Sequence, residues 1–118
     1  MKLEILGVRS AGDLFRERVV FRADGDGDIG RFLVTTSRLT GEKSVSSHIE
    51  NPFWFPDKSV KSGDTVVLYT KLGGNNSVEN DDRTTSHFYY MGKDSPIYVL
   101  PDVCVVLMDS NPWVFSTK

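Results

Sequence analysis

Three aspartates, Asp24, Asp26 and Asp28, stand at alternate positions of the stretch ADGDGDIGRF (23–32), with Gly25 and Gly27 between them. Carboxylates so spaced open a calcium loop, in which acidic ligands at positions 1, 3 and 5 precede a glycine at 6 and a bidentate glutamate at 12. Here position 6 is Ile29 and position 12 is Thr35. The residue for the sharp turn and the closing ligand are both missing, so this is no EF-hand. Two readings remain. Three crowded carboxylates repel one another and would be relieved by a weakly held Ca²⁺ ion. More simply, the stretch is an interstrand turn, with flexible glycines and aspartates that bond neighbouring backbone amides. The turn is the preferred reading, and no cofactor is expected.

Other chemistry is thinly represented. The two histidines, His48 and His87, are far apart and lack the cluster of ligands that a zinc site needs. His87, in TTSHFYY, is expected at the start of a strand, on the surface or the rim. A Ser-His-Asp set can be drawn on paper from any chain with this many serines and aspartates, but no G-x-S-x-G elbow is present, and LYTKLGGNNS lacks the ending of a phosphate-binding loop. The single cysteine, Cys104, lies in the apolar run VCVVLM and reads as a small core residue. The chain is therefore expected not to be an enzyme.

The aromatic residues offer contact chemistry instead. In NPFWFP (51–56), Phe53, Trp54 and Phe55 are consecutive, and successive strand side chains point to opposite faces. Either Phe53 and Phe55 face inward with Trp54 outward, or the reverse. Tyr89 and Tyr90 pose the same alternation. An outward Trp54 beside one of these tyrosines would form an amphipathic patch of the kind enriched at binding hot spots, so Phe53, Trp54, Tyr89 and Tyr90 are the candidate binding residues. Arg16, Arg18 and Arg22 share one strand parity and are read as a solvated face. With 14 basic against 16 acidic residues and a formal net charge of −2, the chain lacks the excess of cations that nucleic-acid binding draws on.

The elements that must carry these residues have the period of strands. KLEILGV, RVVFRA, RFLVTT, TVVLYT (65–70), HFYYM (87–91), VCVVLM (103–108) and WVF (113–115) are short, rich in β-branched and aromatic residues, and bounded by turn formers. TVVLY and VCVVLM are apolar on both faces and read as central strands, whereas KLEIL suits a strand with one wet face. Residues 71–86 read as a long polar loop. The 118 residues form a single domain, 1–118, able to bury its own core. The expected class is all-β, an antiparallel β-sandwich of about seven to nine strands. No stretch approaches the ~20 apolar residues of a membrane span, nor is a signal peptide seen, so a cytoplasmic location is expected.

Three segments are similar to the lamin-tail domain family, and the likeness is to a bacterial-type stand-alone member. GDLFRERVVFRADGDGDIGRFLV (12–34) resembles the family's opening strands and acidic turn. FWFPDKSVKSGDTVVLYT (53–70) matches its F-P…G-d-x-V core through Phe55, Pro56, Val60, Gly63, Val66 and Leu68. VCVVLMDSNPWVF (103–115) is like its closing hairpin. A tryptophan common before that hairpin is absent here, where the chain reads YYMGKDSPIYVLPD. The resemblance implies an immunoglobulin-like sandwich and a non-enzymatic structural or protein-interaction role whose partner is another protein. The turn SVKSGDTVV agrees physically: Gly63 can take a positive φ and Asp64 can cap the turn.

Overall fold

The computed structural model describes residues 1–118. Eleven strands and one short 3₁₀ turn (Ile29–Arg31) follow in order: β1 (Lys2–Arg9), β2 (Arg18–Asp24), β3 (Gly27–Asp28), β4 (Phe32–Gly41), β5 (Ser44–Val45), β6 (Glu50–Trp54), β7 (Ser59–Val60), β8 (Thr65–Tyr69), β9 (Asn76–Glu79), β10 (Thr85–Tyr90) and β11 (Val103–Asp109). The first sheet runs β1-β2-β8-β10-β9. In the second, β4 has β11 on one side and β5 and β6 on the other, and β3 pairs with β7 as a small ribbon. The architecture is all-β, a sandwich with mixed sheets.

Alternation explains which side chains meet between the sheets. In β2, Val19, Phe21 and Ala23 point inward while Arg18, Val20 and Arg22 do not. Val66 and Leu68 of β8 lie beside them, and Phe32 and Val34 of β4 approach from the other sheet. The Phe21 and Phe55 rings meet edge to face at 6.0 Å. Phe55, Val60, Val66 and Leu68, four residues of the FP…SGDTVVLY pattern, are all core.

Three strand expectations need correction. Residues 71–86 are not one loop: they contain β9, a turn in which Asn80 and Thr84 pair, and the start of β10. The chain leaves β8, passes to the sheet edge as β9 and returns as β10 between them. Because of that return, β10 lies parallel to β8, the one parallel pair in an otherwise antiparallel set. VCVVLM becomes β11, an edge strand, not a central one. Its Val103, Val105 and Leu107 pack on the core, while Cys104 is only half-buried, with Sγ 3.4 Å from the Ser37 carbonyl. WVF forms no strand at all. Ser110 instead ends β11 by donating both its N–H and its hydroxyl to the Arg31 carbonyl.

One buried carboxylate ties the connections together. Glu17 is wholly inaccessible. Its Oε1 accepts from the Thr70 hydroxyl at 2.6 Å and the Ile97 amide at 2.8 Å; its Oε2 accepts from the Gly12 amide at 2.7 Å and the Tyr98 amide at 3.2 Å. Four donors, one from nearby and three from two distant segments, satisfy both oxygens, which is the condition for burying a carboxylate at tolerable cost. The Tyr98 hydroxyl is pushed upward by burial and by the nearby Glu17 charge. Glu17→Ala would orphan these donors, and we expect a loss of about 3 kcal/mol or more. Urea unfolding should show a lower midpoint with the slope kept; an unchanged midpoint would contradict the role assigned to Glu17.

Candidate functional site

The aspartates of the opening motif do not converge. Asp24 ends β2 exposed to solvent. Asp26 Oδ1 accepts from the Ser62 amide at 2.8 Å, and its Oδ2 lies 3.9 Å from Lys61 Nζ. Asp28 caps the 3₁₀ turn through the Gly30 amide at 2.7 Å and also takes the Lys58 amide at 3.0 Å. The candidate metal set Asp24, Asp26 and Asp28 is corrected accordingly: two of the carboxylates are held apart by backbone amides of different segments, and no three His, Cys, Asp or Glu side chains form a group suited to a metal.

The candidate binding residues also divide. Phe53 and Phe55 turn inward, Phe55 fully, and their rings meet at 5.2 Å. Tyr89, 2% exposed, joins them in the core at 5.1 Å from Phe55. Tyr90 stacks on Tyr69 at 5.3 Å on the other face of the first sheet. The expected patch of Trp54 with one of these tyrosines is therefore not formed, and of the four residues only Trp54 is exposed. A bulge precedes it, and a distant contact then holds its outward direction. Pro52 has no amide for the ladder, and Asn51 takes φ +50° where the β4–β6 register slips, as a bulge does. The Trp54 indole then donates to the Gly30 carbonyl at 2.6 Å.

Trp54 gains a neighbour that its local sequence does not announce. The Trp113 ring meets it edge to face at 4.8 Å, and Phe115 lies 6.2 Å from Trp113. Together with Leu33 and Val114 they line an apolar surface hollow. Trp54 is 47% exposed, Phe115 79% and Val114 92%. Of the arginines considered at the outset, Arg22 pairs with Glu4 at 2.9 Å, and the Arg18 guanidinium lies 5.9 Å from the Tyr69 ring centre.

A second, polar cluster shares no residue with this hollow. His87 is buried, contrary to the expected rim position, because it has the same inward parity on β10 as Tyr89. An inward histidine needs partners. Nε2 lies 2.9 Å from Asp64 Oδ2, and Nδ1 lies 3.2 Å from the hydroxyl of Ser77, its cross-strand neighbour on β9. Lys58 Nζ donates to the same hydroxyl. Asp64 also accepts the Lys61 amide at 3.0 Å and the Thr85 amide at 2.9 Å. Burial pulls its carboxyl upward, but the bonds from His87 and these amides outweigh that and leave it below the usual carboxylate range. Asp64 is thus an acceptor only. In the singly protonated ring the proton sits on Nε2, and the Nδ1 lone pair faces Ser77. The parity shared with Tyr89 was the one sequence signal for this cluster.

Compared with known proteins, the chain matches no family model and no curated sequence.

The lowered Asp64 carboxyl makes a pH prediction. A group whose folded value lies below its unfolded one adds stability that is present above the unfolded value and is lost as pH falls through the folded one. Asp64→Ala should cost about 3 kcal/mol at neutral pH. Asp64→Asn should flatten the acid limb of stability below about pH 4. Chemical denaturation across that range checks both, and identical acid limbs for wild type and Asp64→Asn would count against the assignment.

Proposed function

We propose that the chain is a protein-interaction module built on a lamin-tail-like, immunoglobulin-like sandwich, and that it contacts its partner through the hollow around Trp54 and Trp113. The observation that carries this is the contiguous exposed group of Trp54, Trp113, Val114 and Phe115 beside the second sheet. Aromatic side chains gathered in this way mark contact surfaces. Trp54 is anchored through its indole N–H, so its ring is already oriented and little freedom is lost on docking. An apolar side chain of the partner is the chemistry that fits the hollow these residues line. The lamin-tail likeness supports the same reading, since its core positions Phe55, Val60, Val66 and Leu68 are the residues packed between the sheets.

The test begins with capture of a partner by the immobilised domain, followed by binding of that purified partner to wild type and to a Trp113→Ser/Phe115→Ser variant. Both changed residues are exposed, so folding should be retained. Affinity should fall by at least ~30-fold if these are hot-spot residues. Equal affinities would reject the surface.

A further inference from the structure

We propose that Ser77 is a nucleophile, and that the chain forms and then hydrolyses an acyl ester on its hydroxyl, with small uncharged carboxylic esters as substrates. The inference is independent of the aromatic hollow. It rests on the alignment Asp64–His87–Ser77, whose two links are 2.9 and 3.2 Å. Those are the separations at which a base withdraws a hydroxyl proton and a carboxylate holds the base in place. The relay has a direction. Asp64, saturated by two backbone amides and the ring, accepts and does not donate, so the free lone pair of His87 is the one facing Ser77. The Lys58 ammonium on Ser77 Oγ adds a positive charge where an alkoxide would develop.

The surroundings suit a small substrate. A cavity of about 170 Å³ opens beside Ser77, lined also by Pro56, Lys58, Asn76, Phe88 and Tyr89. Tyr89 is nine-tenths or more buried, and its hydroxyl has no hydrogen-bond partner in the protein. That oxygen has no surface open to the cavity, so Tyr89 serves as a wall of the cavity and takes no part in the step. Asp57, also in the cavity wall, disfavours an anionic substrate. Ser77 itself stands on the exposed edge strand β9, open to a ligand from solvent, while His87 behind it is shielded.

The step balances without a further reagent. The Ser77 oxygen bonds to the ester carbonyl carbon as its proton passes to His87 Nδ1, and the carbonyl electron pair moves to oxygen beside Lys58. Collapse of that intermediate breaks the bond to the alkoxy group, which leaves as the alcohol with the proton from Nδ1. Water repeats the sequence on the acyl-Ser77 ester, releasing the carboxylic acid and restoring the hydroxyl.

The whole chain, incubated with p-nitrophenyl acetate, should release p-nitrophenol in a burst near one equivalent, with the acetyl group mapped to Ser77 by peptide mass spectrometry. Ser77→Ala, exposed and so expected to fold, should remove the burst. His87→Gln, with folding confirmed by melting, should slow it by at least ~100-fold. Acetylation of Ser77 no faster than that of Ser62 or Ser116 would overturn the proposal. Should His87→Gln fail to fold, a Ser77→Cys variant in a Cys104→Ser background decides. Its thiol should be alkylated by iodoacetamide at mildly acidic pH faster than a free cysteine peptide, and reaction at the peptide's rate would equally overturn the proposal.

Discussion

The carboxylate of Asp64 is the constraint from which much of the first sheet follows. It closes the turn Lys61–Asp64 from within, accepting the Lys61 amide while its own amide returns to the Lys61 carbonyl. Gly63, at φ +89°, supplies the conformation that the turn needs. The same side chain reaches across to the Thr85 amide and so sets where β10 begins beside β8. With that register set, His87 falls on the inward face, Ser77 falls opposite it, and Tyr89 enters the aromatic core two residues later. One acceptor thereby joins a local turn, a parallel pairing and a polar relay. Buried acceptors of this kind are retained only when fully satisfied, and Asp64 is.

The second sheet is organised differently, around irregularity. The bulge between β4 and β6, with Asn51 in the left-handed region and Pro52 beside it, comes just before the aromatic run. The run then alternates cleanly, so Phe53 and Phe55 go to the core and Trp54 to the outside. The two sheets thus present unlike surfaces. Near β9 the molecule offers a narrow polar cavity backed by charge; around Trp54 it offers a shallow apolar hollow.

What the sequence discloses follows the range of the interactions involved. The turn at Gly63 and Asp64 was legible because every residue that makes it lies within four positions. The inward face of β2 was legible from period alone. The aromatic run left two orientations open, since the contacts that decide between them, the Gly30 carbonyl and Trp113, come from elsewhere in the chain. VCVVLM reads as a central strand because both its faces are apolar, yet composition reports what lies above and below a strand, not what lies beside it. The relay draws Lys58, Asp64, Ser77 and His87 from four separate segments, and no short spacing announces it. Residues 71–86 hid β9 because an exposed edge strand with four exposed residues has no hydrophobic period to show.

The order of strands along the chain gives the two sheets different histories. Every strand of the first sheet lies between residues 2 and 90, so all its partners are available before β11 leaves the ribosome. β4, by contrast, is made early and waits for β11, its partner from Phe32↔Asp109 to Arg38↔Val103. Until that strand arrives, the flank of β4 carrying Phe32 and Val34 is open on one side, and it is during synthesis that such a flank is available to pair wrongly. A nascent chain of this protein therefore carries one finished sheet and one unfinished one. The growing polypeptide is most exposed to such mispairing over the stretch between Tyr90 and Val103, before β11 is available to β4.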